Sequence, residues 1–195
     1  IDNQIKQGVQ GIIIGHGTDT LHYSAAALEY ATKNLSIPVL LVGAQRSSDR
    51  ASSDAYSNMT AGVDFILNQI DKEEQFRRVG ICMHESIDDN SFLILDGINS
   101  KKMHSTRRDA FKQINYQPFA RIVYENSDVK NIEVIREELE SKKPKDDFEY
   151  VKYDINLKIG FFKSHPNTFS YEIDMLKYYD AVIVEGTGIG NVAEH

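Results

Sequence analysis

The sequence predicts an α/β fold: a three-layer domain with a parallel-rich sheet, followed by the start of a second, smaller α/β domain. Three observations predict it. Short, nearly continuous apolar runs recur, segments with helical spacing separate them, and after a charged tract the strand–helix–strand order begins again. Strands that read as unbroken apolar runs are buried on both faces, as in a parallel sheet with helices on either side.

In IDNQIKQGVQ, Ile1, Ile5 and Val9 lie four apart, which predicts the last turns of an amphipathic helix. Val9 to Gly15 then reads as a strand, and Leu21 to Lys33 repeats apolar residues at helical spacing. Pro38 to Gly43, in SIPVLLVGAQ, is a second buried strand, and Ala55 to Ile70 a second helix. Val79 to Met83 and Ser91 to Leu95 flank the polar cluster Ile87-Asp-Asp-Asn90, a hairpin signal. Lys130 to Asp147 contains SKKPKDD and predicts a solvated helix ending in a turn at Pro144. KIGFFKSHPN, SYEIDMLKYYD and AVIVEGTGIG restart the pattern, so the expected boundary lies near Leu157, giving domains 1–157 and 158–195.

Composition narrows the functional classes. At 41% hydrophobic and 26% charged, the 195-residue chain has the make-up of a globular protein with a substantial core. No apolar run is long enough to span a bilayer, and the N-terminus lacks a basic-then-apolar targeting pattern. Cys82 is the sole cysteine, which rules out an internal disulfide and fits a reducing, cytoplasmic location. A net charge of -7 argues against this chain as the main nucleic-acid surface, though a partner is free to supply one.

The densest chemistry lies in GIIIGHGTDTLHYSAAALEY. Open α/β sheets bind ligands beyond the carboxyl ends of their strands, and Gly15-His16-Gly17 falls at such an end. Thr18, Asp19 and Thr20 occupy the cap region of the next helix, where free backbone N–H groups favour an anion or a developing oxyanion. Plain helix capping accounts for the same residues, because Thr and Asp are favoured there without any chemistry. A nucleotide site is a weaker reading: the stretch has one GxG, no third glycine, and no acidic residue at the expected later position. His22, His84, His104 and His165 show no metal-ligand spacing. Asn34-Leu-Ser36 and Asn58-Met-Thr60 fit the glycosylation pattern by chance. Arg107 and Arg108 read as a contact with another chain or as a solvated pair.

HGTDTLHYSAAAL resembles a conserved motif of the bacterial-type asparaginase family, and IPVLLVGAQRSSDRASSDAYSN resembles that family's next block, at the right distance. LHYSA, AQRSSDRASSDA and KKMHSTRRDAFKQIN depart from the free asparaginases. They resemble the branch formed by the glutaminase components (GatD) of archaeal glutamyl-tRNA(Gln) amidotransferases. The resemblance implies an asparaginase-like, flavodoxin/Rossmann-like first domain and a glutaminase that works through a threonine nucleophile and a covalent acyl-enzyme. It also implies a homodimer within a heterotetramer, and a partner component, GatE, that binds the tRNA. With ATP and Mg, the partner uses the ammonia to convert Glu-tRNA(Gln) to Gln-tRNA(Gln). No cofactor is implied for this chain itself.

By the same resemblance, Thr18, Asp19 and Lys102 are the catalytic residues, and Gly17 and Ala44, with Thr18 and Asp19, border the substrate. Lys102 is preferred to Lys101 because the family's lysine stands nine residues before a phenylalanine, as Lys102 does before Phe111. Without the resemblance, the two lysines read as solvated surface charges. His16 is expected to orient the turn, and Asn191 matches a family asparagine that reaches a neighbouring copy's site. The family's primary nucleophile sits in a Thr-Gly-Gly-Thr block, which does not occur here. The chain is therefore expected to be an internal piece, inactive alone, with that block upstream of Ile1 and a further acidic site residue beyond His195. Two other functions compete: a free asparaginase or glutaminase, and a non-catalytic nucleotide-binding module.

Overall fold

The computed structural model describes residues 1–70 and 72–192. They divide into two compact units, Ile1–Val151 and Lys152–His195. The division falls six positions before the expected Leu157. The short pairing of Glu149–Tyr150 with Thr32–Lys33, and the bond from Val151 N to Ala31 O, keep this stretch with the first unit.

The first unit is built around one mixed sheet. Besides two-residue strands and a 3-10 turn, its elements in chain order are α1 (Asp2–Lys6), β1 (Ile12–Gly15), α2 (Leu21–Ala31), β2 (Val39–Val42), α3 (Ala55–Gln69), β3 (Val79–His84), β4 (Ser91–Asp96), β5 (Ser100–Lys102), β6 (Phe111–Gln113), β7 (Ala120–Glu125) and β8 (Asp128–Val134). Six strands form the sheet, in the order β1-β2-β3-β4-β7-β8. The pairs β1/β2 and β2/β3 are parallel, with Ile12 opposite Val39 and Val39 opposite Val79. From β3 onward the pairs are antiparallel, and β3/β4 is the hairpin expected around Ile87–Asn90. The parallel half is the half joined by helices, since a parallel pair needs a crossover and an antiparallel pair needs only a turn.

Side-chain alternation along β2 explains why all four of its residues are buried. Val39 and Leu41 point into the core beneath α2, with Leu21, Ala25, Ile81, Met83 and Phe111. Leu40 and Val42 point into the core beneath α3, with Phe65, Phe76, Phe92, Ile94 and Phe119. Cys82, on β3, lies in this second core and is fully buried. Phe65, Phe76 and Phe119 meet at ring-centroid distances of 4.5–5.9 Å. Two covered faces give the three layers.

Two expectations meet corrections. The helix at Ile1 spans only Asp2–Lys6, although Ile1 and Ile5 do pack against the α2-side core. Gly8, at φ +78, turns the chain away. The solvated helix expected over 130–147 is instead β8, followed by a 3-10 turn at Glu137–Leu139. Asn126 and Ser127, at φ 53 and 71, make a two-residue hairpin turn between β7 and β8. Ile132 and Val134 then reach the α3-side core with period two. Cross-strand pairing overrides the helix propensity of the charged residues.

In the second unit β9 (Ile159–Lys163) and β10 (Ala181–Glu185) pair in parallel, with α4 (Ser170–Asp174) and a 3-10 turn between them. This is the strand–helix–strand order expected from sequence.

Candidate active site

The candidate site lies beyond the carboxyl ends of β1 and β2. β1 ends at Gly15, and α2 begins at Leu21 after a five-residue loop. Thr20 is the cap residue of α2 and makes no side-chain cap bond. Neither Thr18 nor Asp19 is spent on capping. Both side chains turn to a lysine 83–84 positions downstream: Lys102 Nζ donates to Thr18 Oγ1 at 2.9 Å and to Asp19 Oδ1 at 2.8 Å.

The hairpin of β5 and β6 delivers that lysine. Lys102 stands opposite Phe111, which is fully buried in the α2-side core. The nine-residue interval read in the sequence is thus a register position. Alternation sends Lys101 to solvent, whereas the Lys102 side chain is only 11% exposed. Asp19, in contrast, is 94% exposed. Its carboxyl sits below the usual carboxylate range because Lys102 hydrogen-bonds to its ionised form and adds its charge. His22, in the first turn of α2, is pushed below the usual histidine value by burial and by the charges of Lys101 and Lys102.

The loop is braced from two sides. His16 Nδ1 lies 2.6 Å from Gly17 O, so that nitrogen donates, and Nε2 accepts from Ser24 Oγ at 2.9 Å. This ties the turn to α2, as expected of His16. On the other side, a Cβ added to Gly43 would lie 2.8 Å from Thr18 Cγ2 and 3.0 Å from His16 O. Only a glycine at the end of β2 lets the Ala44 loop come this close to Thr18. A Cβ added to Gly17 would meet nothing within 4 Å, and Gly17 itself is exposed.

Sequence reasoning passed over the residues that hold the Ala44 loop. Fully buried Asp54 accepts from Gln45 N at 3.1 Å, from Arg46 N at 2.9 Å and from Asn58 Nδ2 at 3.1 Å. Asn58 Nδ2 also donates to Gly43 O at 3.0 Å. Gln45 Nε2 donates to Arg107 O at 2.8 Å, joining this loop to the segment after Lys102. The four-residue spacing of Asp54 and Asn58 was the available signal. Arg107 and Arg108, read as an interchain contact or a solvated pair, are engaged within the chain: Arg107 with Asp109, and Arg108 with Asp89 and Ser52 O. The Asp109 carboxyl is held at about 2 by the Arg107 hydrogen bond.

The structure therefore brings Thr18, Asp19 and Lys102 together, with Gly17 and Ala44 on adjoining loops. Asn191 belongs to the second unit, where its backbone pairs with Thr187. Among the described residues no cluster of three His, Cys, Asp or Glu is placed to hold a metal ion, and no helix is long and apolar enough to cross a membrane.

Comparison with known proteins shows the family and the fold. The family model described as asparaginase, N-terminal, matches residues 1–136. The glutamyl-tRNA(Gln) amidotransferase D subunit of Nanoarchaeum equitans is 38% identical over all of this chain and 46% of its own length. The D subunit of the same amidotransferase in Methanobrevibacter smithii is 39% identical, over 42% of its length. The chain thus spans less than half the length of these curated relatives. Among solved structures, the thermostable L-asparaginase from Thermococcus kodakarensis superposes with a TM-score of 0.77 at 24% identity, covering 98% of this chain and 52% of that one. L-asparaginase I from Vibrio cholerae gives 0.76 at 24% identity, covering 99% and 53%.

Proposed function

The chain belongs to the asparaginase family, and from that premise we propose that it forms part of the glutaminase component, GatD, of a tRNA-dependent amidotransferase. In this reading the protein hydrolyses the side-chain amide of L-glutamine and passes ammonia to a partner, GatE. That partner holds Glu-tRNA(Gln) and, with ATP and Mg, converts it to Gln-tRNA(Gln). The amide-hydrolysing chains pair as a homodimer within a heterotetramer, in the cytoplasm. The curated relatives, named for that activity, support the amidotransferase branch over a free asparaginase.

The observation that carries the hydrolytic reading is the reach of Lys102 Nζ to both Thr18 Oγ1 and Asp19 Oδ1. A threonine hydroxyl is a poor nucleophile until a base takes its proton. Thr18 is the second catalytic threonine, beside the primary one of the family's Thr-Gly-Gly-Thr block, and Lys102, once neutral, is the base in contact with its hydroxyl. Asp19 fixes the lysine, and its exposed oxygens suit the α-ammonium of the amino-acid substrate. The loops bearing Gly17 and Ala44 border the same space.

The test uses the full-length protein with glutamine and asparagine as alternative substrates. Lys102→Ala is expected to lower turnover by roughly 100- to 10,000-fold, the usual worth of a general base, with the circular dichroism spectrum unchanged. Lys101→Ala is expected to leave turnover near the unmodified value. A mild effect at Lys102 would refute its role. A preference for asparagine, with no co-purifying tRNA-binding partner, would favour a free asparaginase.

A further inference from the structure

A polar ring, buried at Asp54, Asn58 and His84 and open to solvent at Asp89, lies behind the site, and its centre is His84. The His84 side chain has no solvent exposure. It stands at the end of β3, between α3 and the Ile87–Asn90 turn. Its orientation follows from Asn58. The Asn58 amide nitrogen is committed to two oxygens, Gly43 O and Asp54 Oδ2, so its Oδ1 must face His84. His84 Nδ1 therefore donates to Asn58 Oδ1, at 2.7 Å. On the far side of the ring, Nε2 lies 2.8 Å from Asp89 Oδ1, the oxygen that also accepts from Arg108 Nη1 at 2.7 Å. With Nδ1 donating, a proton on Nε2 makes the ring a cation, a form that burial opposes and the hydrogen bond to the Asp89 carboxylate favours. Arg108 closes the ring by donating to Ser52 O at 2.8 Å, on the same loop that Asp54 pins.

The ring thus grips both edges of the site. Through Asn58 and Asp54 it holds the backbone of Gly43, Gln45 and Arg46, on either side of Ala44. Through Asp89 and Arg108 it holds the segment that follows Lys102. We propose that His84 is a positioning residue, which fixes the Ala44 edge of the amide site against the Lys102 edge from behind. It touches no reacting atom. Its effect on the reaction runs through the placement of the Ala44 edge, which borders the substrate, and so falls on binding more than on the chemical step. The proposal rests on the hydrolytic reading given above. No local pattern signals the role, because the partners of His84 come from 26 positions before it and 5 after.

Two variants of the full-length protein test it. His84→Leu keeps the bulk and removes both ring contacts, while His84→Gln retains one amide donor and one amide acceptor. For His84→Leu, KM for the hydrolysed amide is expected to rise about tenfold, the consequence of leaving the buried Asn58 oxygen unpaired, with kcat changed less than KM. Amide hydrogen exchange at Gln45 and Arg46 should quicken by about the same factor, while Leu40 and Leu41 in the core of β2 stay protected. His84→Gln should fall between the unmodified protein and His84→Leu in both measurements, and it carries the test if His84→Leu does not fold. A folded variant with unchanged KM, or with unchanged exchange at Gln45 and Arg46, overturns the proposal. If the unmodified protein hydrolyses neither glutamine nor asparagine, the functional reading falls, and the exchange measurement alone decides whether His84 clamps the loop.

Discussion

Lys101 and Lys102 are adjacent residues of one chemistry with different fates. Strand alternation sends the first to solvent and the second to Thr18 and Asp19. The choice was legible through the family resemblance, whose lysine–phenylalanine interval is here a strand register, Lys102 opposite Phe111; the residues alone read as two surface charges. The contact has a measurable signature. A carboxylate whose folded value is depressed contributes fully above its ordinary value of about 3.9 and loses the contribution as pH falls through the folded value. Asp19 is depressed mainly by the Lys102 hydrogen bond, so the contact should persist on acidification to that ordinary value and break below it. Carbon-13 NMR titration of the Asp19 carboxyl is the check, and Lys102→Met should move its midpoint upward. An unmoved midpoint would mean that the lysine is not the cause. Asn58 was not legible in the same way. Its sequence context matches a glycosylation acceptor, whereas its side chain is fully buried and bonded to Gly43 O, Asp54 and His84.

Among the elements, β2 and β3 announce themselves because an unbroken apolar run has few homes other than a doubly covered strand. The end of β2 adds a steric condition that the pattern does not carry. Gly43→Ala places a methyl group 2.8 Å from Thr18 Cγ2, with His16 O close on the other side. Overpacking of this kind costs roughly 1–3 kcal/mol, and here it also pushes Thr18 from Lys102. Stability to chemical denaturation and amide hydrolysis should fall together in this variant, and full activity would show that the loop has slack. The β7/β8 hairpin was missed because its residues are charged and its turn, Asn126-Ser127, lacks the usual glycine. Both turn residues have positive φ. Ser127→Gly relieves the second of them, so the folded state should gain about 0.5–1 kcal/mol in a urea titration. A loss of stability would point to a role for the serine hydroxyl.

For the molecule as a whole, the α/β layer order was legible because helix and strand periods alternate along the chain, whereas its asparaginase-like character was legible only in the resemblance of HGTDTLHYSAAAL and the block after it. The end of the first unit was not. Its last strand, Glu149–Tyr150, is two residues long and is held by pairing to Thr32–Lys33, a contact that no local pattern reports. At this scale the prediction concerns completeness of the chemistry. The 195 residues hold Thr18, Asp19 and Lys102 but no Thr-Gly-Gly-Thr block. The purified chain alone is expected to release no ammonia from glutamine in a coupled assay. Steady turnover abolished by Thr18→Ala would instead make Thr18 the primary nucleophile.

Cys82 is sealed beneath α3, and burial raises its thiol far above the ordinary range. It is therefore silent toward alkylating reagents in the native protein. A pair of cysteines introduced at exposed Ser47 and Thr106 would be the accessible thiols, ready to carry a donor and an acceptor dye. Energy transfer between them would then report the separation of the Ala44 loop from the segment after Lys102.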